Sequence, residues 1–134
     1  MSMSIQDLLE SMERRIAPPK IEEIKRLHEM LTEARIFHLF HDRFPSEGDL
    51  GKYGGYQIIV FDKDGERMVS AIEGMGTYGA EDDLIEIMGL LTPEEEECDS
   101  VRGHLTAQEV FDRIVAHKDE TLDIYELGVV KWDT

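Results

Sequence analysis

Apolar residues recur at helical spacing through the first third of the chain. Ile5, Leu8, Leu9, Met12 and Ile16 mark one segment, with Ser4 as its N-cap and Asp7 three residues on. Pro18-Pro19 stops it, since neither ring donates a backbone hydrogen bond and each biases its predecessor away from helix. A second, amphipathic helix is predicted over residues 20–43. It carries Ile21, Ile24, Leu27, Leu31, Ala34, Phe37 and Leu39 or Phe40 on one side and charges on the other.

The period then changes. Tyr56 to Phe61 is a β-branched and aromatic run, apolar on both faces, which predicts an interior strand. Asp62-Lys63-Asp64-Gly65 is turn chemistry, and Arg67 to Glu73 alternates, so the two segments read as a hairpin. A glycine-rich loop follows from Gly74 to Gly79. Residues 83–91 fit either period. Ile85 and Ile87 alternate with Glu86, and Gly89 weakens a helix interior, so strand is preferred.

Thr92-Pro93-Glu94-Glu95 has the form of a helix start and predicts a short helical turn. Thr106 and Glu109 form a second capping box, with Leu105 placed to staple onto Val110. The buried face of that helix is predicted as Val110, Phe111, Ile114 and Val115. Leu122 to Trp132 alternates as a last strand. The pattern predicts an α+β domain with two N-terminal helices packed on a small, mostly antiparallel sheet, in the order α-α-β-β-β-α-β. At 134 residues this is one domain, with a helical part over 1–45 and a sheet-containing part over 46–134.

Charge sharpens that division. Thirty acidic against fourteen basic side chains give a formal net charge of −16. Residues 46–134 hold twenty-two of the acids and seven of the bases, a net of −15, and no Lys or Arg occurs from Met68 to Val101. Such a chain lacks the clustered cations that neutralise phosphates, which argues against nucleic-acid binding. The single cysteine, Cys98, excludes an internal disulfide framework and a Cys-based zinc site. No apolar run is long enough to span a bilayer and the N-terminus lacks the apolar core of a signal peptide, so a cytoplasmic protein is expected.

Several local patterns invite chemistry. Gly74-Met75-Gly76-Thr77-Tyr78-Gly79 satisfies G-x-G-x-x-G, but the preceding strand belongs to a hairpin. Glu81, Asp82 and Asp83 would also oppose a pyrophosphate. Ser46 to Lys52 resembles a P-loop only superficially, because Tyr53 stands where Ser or Thr is required. His38 and His41, with Asp42, could place two imidazoles on one helix face, although no further ligands can be assigned. Asp62, Asp64 and Glu66 alternate like a calcium loop, but the glycine falls at the wrong position, so a hairpin turn is the better account. Cys98 lies among Glu96, Glu97 and Asp99, whose charge disfavours a thiolate. Tyr125 and Trp132 are read as packing or interface aromatics. No catalytic, cofactor or metal site is assigned.

The function expected from these residues is non-enzymatic: an inhibitor, immunity or accessory protein docking on a basic partner. Glu81, Asp82, Asp83, Glu94, Glu95, Glu96, Glu97 and Asp99 are the candidate contact residues. Small-ligand or metal binding through Gly74–Gly79 or His38/His41 is one alternative. A homo-oligomer formed through the 20–43 helix is another. The run from Gly55 onward, ending in a capped helix and a terminal strand, resembles in style small accessory proteins of phages and other mobile elements. That resemblance carries no diagnostic motif and assigns no residue a role.

Overall fold

A computed structural model describes residues 4–6, 21–43, 54–74 and 77–124. The elements follow as α1 (Glu22–Glu33), β1 (Leu39–Asp42), β2 (Tyr56–Phe61), β3 (Arg67–Glu73), β4 (Ile85–Met88), α2 (Pro93–Cys98), β5 (Arg102–Leu105) and α3 (Ala107–Val115). The five strands form one antiparallel sheet in the order β1-β2-β3-β4-β5, each paired with its sequence neighbour. The class is therefore α+β, with a helical segment first and a capped helix near the end. The expected first helix and the expected last strand lie outside the described residues, apart from Ser4, Ile5 and Gln6 and from Leu122, Asp123 and Ile124. So do Ser46 to Lys52, Tyr125 and Trp132. No helix among the described residues is long and apolar enough to cross a membrane.

The hairpin is where the pattern placed it. Asp62 Oδ1 accepts the Asp64 and Glu66 amides at 2.9 and 3.0 Å and ties off the turn between β2 and β3. The 85–88 segment is a strand, pairing Ala71 with Ile87. Ile58, Val60, Val69, Ala71, Ile85 and Ile87 turn one face of the sheet inward against Ile24, Leu27 and Leu31 of α1 and Val110 and Ile114 of α3. Each fully buried Leu or Ile contributes about 1.5–3 kcal/mol, so packing rather than propensity holds the two helices in place. Val115, predicted on the buried face of α3, is instead 41% exposed, because the helix ends there; Ala107, Val110 and Ile114 are its buried residues and Phe111 packs partly buried against the core.

The helix expected over 20–43 is the main correction. It stops at Glu33, where Arg35 takes a left-handed φ of 58°. The Ile36 amide then bonds back to Leu31 O at 2.9 Å and the Arg35 amide to Thr32 O at 3.1 Å, a Schellman closure. Leu39–Asp42 goes on to pair with β2, matching Phe40 with Ile58. The strand lets Phe40 stack on Tyr56 and on His28, with ring centroids 5.1 and 4.2 Å apart. The apolar stripe of α1, offered above as a dimer contact, is spent inside the chain: Ile24, Leu27 and Leu31 are wholly buried.

Candidate functional site

The acidic run 94–97 forms the six-residue α2, which buries none of its side chains. A helix this short cannot hold itself together. Its cap is reciprocal: Thr92 Oγ1 accepts the Glu95 amide at 3.2 Å and Glu95 Oε1 accepts the Thr92 amide at 2.9 Å. The pin is Glu95 itself, which receives Arg113 of α3 in a two-pronged pair at 2.7 and 2.8 Å, with Arg102 Nε 3.4 Å away. Arg113 also donates to Leu90 O at 3.0 Å, so one guanidinium ties α2 to the end of β4.

The Arg113 hydrogen bonds, followed by the Thr92 amide, hold the Glu95 carboxyl down to about 2. Its folded value lies below its unfolded value of about 4.5, so its contribution is complete above that pH and is lost as pH falls toward 2. Glu95→Gln should keep the cap but lower the melting temperature at pH 7. It should also flatten the acid limb between pH 4.5 and 2 in a thermal titration. Acid limbs of equal slope in variant and parent would refute the assignment.

Beside α2 lies a groove of about 430 Å³ whose lining includes Tyr78, Glu94, Cys98, Asp99, Arg102 and His104. Gly103 makes it possible. A Cβ there would stand 2.3 Å from Tyr78 Cβ and 2.8 Å from Tyr78 O, so only glycine lets Tyr78 lie against edge strand β5. The His104 amide closes on Tyr78 O at 3.3 Å, and the Tyr78 amide donates to Glu86 Oε1 at 3.1 Å. Tyr78 remains 57% exposed and lines the groove.

Of the predicted contact residues, Glu94, Glu96, Glu97 and Asp99 are exposed together on and just after α2, and Asp82 is exposed on the turn before β4. Glu95 is committed to Arg113. Asp83 is committed too: its Oδ1 accepts the Glu22 and Glu23 amides at 2.8 and 3.1 Å, capping α1. The Glu81 side chain lies outside the described set. Tyr78 was not singled out as a contact, although an aromatic inside a glycine-rich loop, just before an acidic run, was a signal for it.

His38 and His41 are not on one helix face. His38 precedes β1 and His41 lies within it. His38 Nδ1 bonds Ile36 O at 2.9 Å, which leaves Nε2 to accept from His28 Nδ1 at 2.8 Å. Burial, reinforced by His28, keeps His38 below the usual imidazole range. His41 is exposed and bonds the carbonyl of Asp42. Among the described residues no group of three or more His, Cys, Asp or Glu could hold a metal ion.

At its described ends the glycine loop closes through Thr77 and Gly74. Thr77 Oγ1 and the Thr77 amide both donate to Gly74 O, at 2.8 and 3.1 Å, and a single 3-10 turn over Ala80–Asp82 follows in place of a phosphate-receiving helix.

The buried titratable group is Glu73, at the end of β3. Its Oε1 accepts the Ile24 amide at 2.9 Å, while Oε2 is buried with no hydrogen-bond partner as a bare oxygen. Burial, then the neighbouring Asp83 carboxylate, push its carboxyl up to about 8, which favours the protonated acid at neutral pH. Glu23 completes the cluster by accepting the Ala107 amide at 2.9 Å, which caps α3. These carboxylates meet the positive ends of two helices and serve the fold. Comparisons with protein-family models, with curated proteins and with solved structures find no match to this chain.

Proposed function

We propose that this chain is a small acidic, non-enzymatic interaction protein that seats a basic segment of a partner protein in the groove between α2 and β5. The observation that carries the reading is the exposed Tyr78 in a groove edged by Glu94 and Asp99, with Glu96 and Glu97 exposed on the same short helix. An aromatic anchor supplies apolar contact area, and the carboxylates around it select Lys or Arg. The −15 net charge of residues 46–134 supplies the long-range attraction. Docking on a basic partner is the role this arrangement serves best, in the manner of an inhibitor, immunity or accessory protein.

The test is a titration with a hexa-arginine peptide followed by amide NMR shifts. Shifts should concentrate on Tyr78, Asp99, Gly103 and His104 and weaken steeply with salt, because such fields are screened beyond ~8 Å at physiological ionic strength. Tyr78→Ala combined with Glu94→Gln and Asp99→Asn should weaken binding at least about tenfold, the sum of an anchor and two charge contacts. Shifts spread evenly over every acidic surface, or binding indifferent to these substitutions, would leave acidity as a solubility device.

A further inference from the structure

A second cleft, of about 300 Å³, has the opposite character. Three of the fourteen basic side chains of this acidic protein line it: Arg35 after α1, Lys63 in the β2–β3 turn and Lys118 in the 3-10 turn after α3. They come from three distant segments: the Asp62–Thr121 bridge, the Lys63 amide on Glu120 O at 3.1 Å and the Leu122 amide on Phe61 O at 2.9 Å join the Lys63 and Lys118 segments, and the Phe37–Phe61 ring contact brings the Arg35 segment beside them. All three are exposed, and among the described residues none takes part in an ion pair. Apolar wall is supplied by Phe37, whose ring lies 6.2 Å from that of Phe61, and by Leu122. Asp119 and Asp123 share the lining, so the cleft itself holds three cations against two carboxylates.

Arg35 adds an independent observation. It occupies the left-handed position of a Schellman closure, with φ 58°, where glycine pays no steric penalty and a side chain does. A non-glycine residue kept in a strained conformation at a cleft is a pointer to use of its side chain. Charges farther than about 8 Å are screened at physiological ionic strength, so the groups lining the cleft weigh most in what it accepts.

We infer that this cleft binds a small organic phosphate monoester, its dianionic head held by Arg35, Lys63 and Lys118 and its apolar body laid against Phe37 and Leu122. A guanidinium fork with two ammonium point charges suits a phosphate, and the volume admits a ligand of about one ring. This site is independent of the acidic groove and stands or falls without it.

Phenyl phosphate and phenol are the probes, titrated against the full chain and followed by amide NMR shifts. Phenyl phosphate should shift Ile36, Phe37, Thr121 and Leu122 along saturating curves with a Kd of about 1 mM or tighter, and phenol should not saturate. Lys63→Gln and Lys118→Gln, both exposed substitutions, should each weaken phenyl phosphate about fivefold, the worth of one charge contact. Arg35→Gly is the decisive variant: relief of strain should raise the melting temperature by about 3 °C while phenyl phosphate weakens about fivefold or more. Arg35→Lys keeps the charge but loses the fork, so it should weaken phenyl phosphate by about two- to threefold, less than Arg35→Gly. Absence of saturation with phenyl phosphate, equal binding of phenol, or an Arg35→Gly protein that binds as well as the parent would overturn the assignment.

Discussion

Glu73→Gln is expected to make the protein more stable than its parent at alkaline pH, although it alters a wholly buried side chain. The parent holds Glu73 protonated, at about 8 against an ordinary 4.5, because burial and the negative Asp83 and Glu23 all disfavour its ionised form. A folded value above the unfolded one means that the native state binds the extra proton between those two pH values. Its contribution is therefore complete below about pH 4.5 and disappears as pH rises through about 8. A displacement of that size corresponds to roughly 5 kcal/mol, a large share of the 5–15 kcal/mol typical of a domain. Glutamine keeps a carbonyl oxygen for the Ile24 amide and offers Asp83 an N–H at every pH. Thermal unfolding from pH 5 to 9 should show the parent losing about 10 °C more than the variant. Glu73→Ala should be poor at all pH values, because the Ile24 amide would lose its partner and a cavity would open. Parallel pH profiles for parent and Glu73→Gln would mean that the carboxyl is ionised in the native state.

Gly55→Ala should cost more than any single core truncation. Gly55 has φ 88°, and a Cβ there would lie 1.7 Å from the carbonyl oxygen of Glu73; Gly74 faces it, its own Cβ position 2.0 Å from Gly54 O. Both obstacles are backbone atoms of the paired β2–β3 ends, so relief requires the strands to part. Parting them would also move Glu73 away from α1. A loss above about 4 kcal/mol is expected, read as a fall in melting temperature of more than about 12 °C or as failure to fold. Gly65→Ala is the control: its φ of 81° carries the same conformational strain, but nothing lies within 4 Å, so it should cost only about 1 kcal/mol. Equal effects at the two positions would show that strain alone, and not the close approach, makes Gly55 necessary.

Much of the fold was legible because local chemistry and tertiary need agree. YQIIVF is apolar on both faces and lies between two strands; Asp62 to Gly65 turns; Thr92 and Thr106 cap helices through their own Glu95 and Glu109. Each of these is decided within four residues, so a linear reading suffices. The 20–43 segment was misread for the complementary reason. Its apolar spacing continues past Glu33, but the stop depends on Arg35 taking a conformation that arginine alone does not announce, and on β2 being available to pair with Leu39–Asp42.

The acidic character was plain in composition, yet only the folded chain sorts the carboxylates by task. Glu95 clamps Arg113, Asp83 and Glu73 cap α1, and Glu94, Glu96, Glu97 and Asp99 remain at the surface. Sequence by itself determined the class, the hairpin and the two locally capped helices, because periodicity and capping act over a few residues. Tertiary structure decided where α1 begins and ends, which acids are spent inside and which cations meet at the second cleft. The amides at the start of α1 have no local cap and are satisfied by side chains 49–61 residues away. A buried amide must find an acceptor wherever the chain can bring one, and that condition is set by the packed structure rather than by neighbours in sequence.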